Sequence, residues 1–156
     1  MKIERDPLGI FAADLFSGHT ALVTGGGRGI GRHIALAFAR LGANIVIAGR
    51  KPENLEPTAE EAADMGASCL AVPTNIRETE SVDALMGTTF DRFGSIQYLV
   101  NNAGGQFPAS PANISDGGWR AVIDLNLNGT WNMCSRVGPH MLERGFGTVD
   151  LDEIDF

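Results

Sequence analysis

The sequence predicts an α/β fold built on a doubly wound parallel sheet, and three observations carry that prediction. Short apolar runs rich in β-branched residues alternate with longer stretches whose apolar positions recur every three or four residues. The runs are nearly continuous rather than alternating, as expected of strands buried on both faces. The first of them breaks at once into glycine, in Ala21-Leu-Val-Thr-Gly-Gly-Gly-Arg-Gly-Ile-Gly31.

The elements follow in order. Residues 20–24 form a first strand that ends at the glycines. Ile30, Ile34, Leu36, Ala37, Phe38 and Leu41 then mark a helix over 29–41, and Gly42 stops it. A second strand is expected at 44–48 and a helix near 53–65, where Pro57 implies a late start near Glu56 or a kink. A third strand at 68–73, a helix at 78–93, a fourth strand at 96–101 and a long helix at 116–141 complete the pattern. Right-handed crossovers order the first three strands 3-2-1 and send the fourth to the other side of the first. A ligand crevice then lies at that switch point, with Gly25–Gly31 facing Asn101–Gly104.

The glycine turn has a physical reading of its own. Glycines let the backbone turn tightly and approach a phosphate closely, and the following helix N-terminus offers unpaired N–H groups to an anion. The plainer reading is a flexible turn. The spacing does not fit G-x-G-x-x-G, because Ile30 takes the place of the last glycine.

Composition narrows the class. The chain has 156 residues, enough for one domain, and is 44% hydrophobic, which supports a real core. No apolar run approaches the roughly 20 residues that span a bilayer, and "MKIERDPLGIF" lacks the apolar stretch of a secretion signal, so a cytoplasmic protein is expected. Net charge is −7 but uneven: residues 1 to 50 hold six Lys/Arg against three Asp/Glu, and the remainder six against sixteen. Such an acidic whole argues against nucleic acid as a partner, while Arg28 and Arg50 suit a small phosphorylated molecule. Cys69 and Cys134 lack C-x-x-C spacing and read as reduced core residues. His19, His33 and His140 share no ligand spacing, so no metal is assigned. Trp119 and Trp131 read as packing residues of the long helix, Asn126 as a helix-bending, backbone-bonding residue and Asp124 as a solvated charge.

Gly25-x-x-x-Gly29-x-Gly31 after a threonine resembles the glycine motif of the short-chain dehydrogenases/reductases. Ile96-Gln-Tyr-Leu-Val-Asn-Asn-Ala-Gly104 resembles that family's strand leading into "NNAG", the segment closing over the nicotinamide-side ribose. Gly42–Ala48 as second strand, Asn75-Ile76 after the third and Asn126 within "IDLNLNGTW" agree with it. "NNAGGQFPA" and "GWRAVIDLNLNGTWNM" are similar to the branch of peroxisomal-type enoyl-CoA and dienoyl-CoA reductases and related bacterial oxidoreductases. The resemblance implies a Rossmann-type fold and a nicotinamide dinucleotide held by Gly25, Gly27, Arg28, Gly29, Ile30, Gly31, Asn75, Ile76, Asn102, Ala103 and Gly104. It also implies that Asn126 holds a water of a proton relay.

The second strand bears on which dinucleotide. An NAD site places a carboxylate about 20 residues past the glycines to bind the ribose 2′-OH. Here that place reads Ala48-Gly49-Arg50-Lys51, with no acid before Glu53. Arg28, Arg50 and Lys51 are the cations that a 2′-phosphate would need, so the expected cofactor is NADP(H). The other reading of these residues is solvated surface charge.

The family also carries a Ser after its fifth strand and then Tyr-x-x-x-Lys, in which Tyr moves the proton and Lys lowers its pKa. In this sequence the one tyrosine, Tyr98, falls in the fourth strand and the lysines are Lys2 and Lys51. The resemblance runs from about Ser17 to Gly147, so the expectation is the N-terminal half of the fold: an extension over 1–16, a truncated NADP-binding domain over 17–147 and a divergent acidic tail over 148–156. Thr148-Val-Asp-Leu-Asp-Glu-Ile-Asp-Phe156 alternates and is acidic, unlike a central buried strand. Either this tail starts a short fifth strand or two chains pair at the open edge. The long helix then lacks a neighbour and leaves residues such as Trp131 and Met133 exposed, which favours a homo-oligomer. Two functions stand: an NADP(H)-dependent oxidoreductase acting on an enoyl, carbonyl or hydroxyl substrate with its catalytic half missing, or a non-catalytic nucleotide-binding or partner module.

Overall fold

A computed structural model describes residues 7–151. Five parallel strands lie in the order β3-β2-β1-β4-β5. They are β1 Thr20–Thr24, β2 Asn44–Gly49, β3 Cys69–Pro73, β4 Tyr98–Asn101 and β5 Thr148–Leu151. Helices α1 (Gly29–Arg40), α2 (Pro52–Asp64) and α3 (Thr79–Phe93) make the crossovers between the first four. The switch between β1 and β4 falls where the strand rhythm predicts it.

The central strands β1, β2 and β4 are buried from both sides, which explains their continuous apolar runs. Leu22, Val46 and Leu99 face a core with Val82 and Leu85 of α3. Ala21, Val23, Ile45, Ile47 and Val100 face the other, with Ala35, Leu36 and Ala39 of α1 and Leu55 of α2. Phe16 adds a ring against Phe38 at 4.9 Å between centroids.

Three details differ from the sequence reading. Helix α2 begins at Pro52, where the missing N–H costs nothing, and carries Pro57 inside it rather than starting near Glu56. The long helix expected over 116–141 is three segments: α4 (Asp116–Ile123), a π-helical stretch Asp124–Asn128 and α5 (Gly129–Arg144). Ser115 caps α4 by accepting from Gly118 N at 3.0 Å. Met133 of α5 is 0% exposed, whereas Trp131 is 68% exposed and Trp119 also faces outward, so neither tryptophan packs the helix into the core. Side chains two apart on a helix point about 200° away from each other, so α5 buries Met133 by turning Trp131 out.

The tail forms the short fifth strand that was one of its two expected courses. It pairs in parallel with β4, in the register Thr148↔Tyr98, Val149↔Leu99, Val100↔Asp150 and Asn101↔Leu151. Thr148, Val149 and Asp150 remain exposed, and an alternating sequence suits an edge strand that is not covered on both faces. The acids after Leu151 lie outside the described residues, as do the first six residues of the extension expected over 1–16.

Methionines at two depths test this core. Met133→Ala should cost about 2–5 kcal/mol in urea denaturation. Met65→Ala, at an exposed position, should change stability by about 0.5 kcal/mol or less.

Candidate functional site

The ends of β1, β2, β3 and β4 open into one crevice. Buried Thr24 organises its centre. The Thr24 hydroxyl donates to Val100 O at 3.3 Å and accepts from Ala103 N at 2.9 Å, while its carbonyl accepts from Asn102 Nδ2 at 2.8 Å. Gly25 N donates to Ala48 O at 2.7 Å, tying the loop to β2 as well. Gly25 has φ 68°, and a Cβ there would stand 2.7 Å from Asn102 Nδ2. Gly31 is closed to a side chain by the same amide and by Gly25 O. The two facing segments thus touch through backbone and one Asn, leaving no room for larger residues.

Gly25, Gly27 and Arg28 line the crevice, as do Asn102, Ala103 and Gly104 opposite. Gly29, Ile30 and Gly31 form the first turn of α1 behind Arg28 and do not line it. Arg28 is the N-cap, extended at φ −162° and ψ 168°; its side chain caps nothing and the first turn holds no acid. The first N–H groups of α1 are therefore not answered by a cap or a carboxylate, and the helix end is positive.

Arg50 and Lys51 stand exposed at the rim, at the end of β2. Lys51 Nζ is 3.9 Å from Glu53 Oε1 with both groups well exposed, a weak pair that leaves the cation available. From the β3 side come Asn75 and Ile76. The Asn75 side chain is engaged locally: Nδ2 donates to Glu78 Oε1 at 2.5 Å, and Oδ1 accepts from Arg77 Nε at 3.3 Å. Asn75 thereby shapes the turn into α3. Ile76 O accepts from Asn132 Nδ2 at 2.9 Å, which fixes this wall to α5.

Asn126 lies in the π-helical stretch and reaches the segment after "NNAG". Its Oδ1 accepts from Gly105 N at 2.9 Å and its Nδ2 donates to Gly105 O at 2.8 Å. Both ends of the amide are thus used to hold one backbone residue, next to crevice-lining Gly104. Its neighbour Leu125 lines the crevice.

Several lining residues had no assignment from sequence: Ala48, Gly49, Thr74, Asn54, Leu55 and Leu125. Thr24 was visible as the residue before the glycines, but its hydrogen bonds span 76 and 79 residues. Burial pushes the Cys69 thiol up to about 11, and burial also raises that of Cys134, so neither is a ready thiolate nucleophile. Among the described residues, no three His, Cys, Asp or Glu side chains gather as a metal site would require, and no helix is long and apolar enough to cross a membrane.

A parallel sheet with its crevice at the switch point, floored by a glycine turn and a bare helix N-terminus, defines a Rossmann-type dinucleotide-binding architecture. The chain belongs to the short chain dehydrogenase family, whose profile matches residues 19–149. It is 36% identical over 124 residues to the peroxisomal 2,4-dienoyl-CoA reductase of Arabidopsis thaliana, across 80% of this chain and 42% of that protein. It is 39% identical over 133 residues to the oxidoreductase UcpA of Escherichia coli K12, across 85% of this chain and 50% of the relative. The solved structure of a citronellol catabolism dehydrogenase from Pseudomonas aeruginosa PAO1 superposes with a TM-score of 0.84 at 41% identity, covering 90% of this chain and 57% of that one. The chain spans about half the length of the curated relatives it matches.

The Asn126 clamp makes a local prediction. Asn126→Ala removes both bonds to Gly105, so amide exchange at residues 103–107 should speed several-fold while β1 and β2 keep their protection. Unchanged exchange there would show that the clamp does not hold the segment.

Proposed function

We propose that this chain binds NADP(H) and serves as the cofactor-binding part of an oxidoreductase. The observation that carries the reading is the charge around the crevice: Arg28 from the glycine turn, and Arg50 and Lys51 at the end of β2, with no carboxylate at the place an NAD ribose would use. The diphosphate would lie against Gly25, Gly27 and the first turn of α1, where Gly29, Ile30 and Gly31 offer N–H groups. The base side would meet Asn75 and Ile76, and the nicotinamide-side ribose Asn102, Ala103 and Gly104. When bound, the dinucleotide supplies the hydride. The names of the dienoyl-CoA reductase and the citronellol catabolism dehydrogenase support an enoyl, carbonyl or hydroxyl compound as the proposed substrate.

These residues bind and orient; they do not move the proton. The chain's one tyrosine begins β4, at the opposite end of the sheet from the crevice, with its hydroxyl 3.1 Å from His19 Nδ1. Asn126 is committed to Gly105, so in this reading it positions the segment that faces the nicotinamide and reaches a relay water only through that segment. The placement of Tyr98 favours a second reading, a nucleotide-binding or partner module without turnover of its own. A cytoplasmic location is part of the proposal.

Assembly is proposed as well. The outer edge of β5 has no neighbouring strand among the described residues, and Leu127, Trp131 and Leu142 are exposed along the α4–α5 arm. Unpaired edges and apolar stripes recruit further chain, and a second copy pairing there gives a homo-oligomer.

Two measurements test these readings. In calorimetry the unmutated chain should bind NADPH more tightly than NADH, and Arg50→Asp should weaken NADPH by about tenfold or more, since a charge-assisted bond is worth about 1.5–3 kcal/mol. Equal affinity for both nucleotides before mutation would count against NADP(H). In light scattering at micromolar concentration the expected species is a dimer or larger, and a stable 16.5 kDa particle would rule the assembly out.

A further inference from the structure

Thr58 is fully buried in α2, and its hydroxyl donates to Gly27 O at 3.2 Å. A helical threonine commonly turns this hydroxyl back onto a carbonyl of its own preceding turn. Here it reaches out of the helix to the glycine loop. The start of α2 closes on the same residue, since a Cβ on Gly27 would lie 2.5 Å from Asn54 O and 3.1 Å from Leu55 Cδ2. Further along, Arg32 of α1 pairs with Glu61 of α2, so the two helices flanking the loop are joined. Helix α2 therefore cannot shift without moving the loop.

The bond also sets a direction. A peptide group is planar and trans, so its C=O and the next N–H point opposite ways. With Gly27 O held from α2, the Gly27–Arg28 peptide is fixed in one orientation at the wall of the crevice that both residues line. We propose that Thr58 is a positioning residue for the diphosphate of the bound nucleotide: by holding Gly27 O it aims the Arg28 N–H at a phosphate oxygen. The inference rests on the nucleotide reading above and extends it to a side chain that touches no ligand. Arg50 and Lys51, which follow β2 and lead into α2, lie outside the Gly27–Arg28 peptide that this bond holds.

The test uses ADP, which carries a diphosphate, and 2′-AMP, which carries a 2′-phosphate and no diphosphate. Calorimetry compares the unmutated chain with Thr58→Val and Thr58→Ser, each first checked for a native circular dichroism spectrum. Valine keeps the volume and removes the donor, so ADP should bind about three- to tenfold more weakly. Binding of 2′-AMP should stay within about twofold, and serine, which keeps the hydroxyl, should restore ADP to within about twofold. Thr58→Ala replaces the valine variant if valine does not fold. ADP binding untouched by loss of the hydroxyl, equal losses for both ligands, or no rescue by serine would overturn the role of Thr58 alone. An unmutated chain that binds neither ligand would overturn the nucleotide reading itself.

Discussion

The hydroxyl of Thr24 is both donor and acceptor at the point where β1 ends, bonding Val100 O on one side and Ala103 N on the other. Each bond contributes about 1 kcal/mol, but leaving such buried groups unpaired would cost about 1–3 kcal/mol apiece. Everything around the crevice follows from this junction. It fixes the distance between the glycine turn and the segment after β4, and that distance excludes side chains at Gly25 and Gly31. The same closeness leaves backbone rather than side chains to floor the crevice, which is what an approaching phosphate needs.

Around that junction the structure uses polar side chains as ties between elements. Thr58 holds the glycine turn from α2, Asn132 holds Ile76 from α5, and Asn126 holds Gly105 from the π-helical stretch. The crevice is thus fastened from three sides by groups that stand just behind its lining. Charge is arranged on a similarly local scale. The chain is acidic overall at −7, yet salt screens exposed charges beyond about 8–10 Å. The charge felt at the crevice is therefore that of Arg28, Arg50 and Lys51 nearby rather than the total of the chain.

The sheet was legible because a strand buried on both faces must be a continuous apolar run, and β1 coincides with residues 20–24. The crevice was legible because glycine and a helix start are local signals. What escaped were relations between distant residues. Nothing in Thr58 or Asn126 as single letters reveals a bond to Gly27 or Gly105. The π-helical stretch was hidden because the apolar spacing of α4 and α5 runs on through it. Trp131 and Met133 were grouped as exposed because the neighbours of the helix were unknown, while its geometry required one to face in and the other out. The tail departs from the pattern of a central strand because β5 takes an edge place.

The switch in strand order also has a meaning for synthesis. β1 is the centre of the sheet, but its second neighbour, β4, is encoded far downstream, and the bond from Thr24 to Val100 spans 76 residues. At a ribosomal rate of about 5–20 residues per second, that interval lasts about 4–15 s. Throughout it the emerging chain displays one naked flank of its central strand, beside a glycine turn with nothing opposite to brace it. The flank of β1 stays open until "YLVN" has been made and docks beside it.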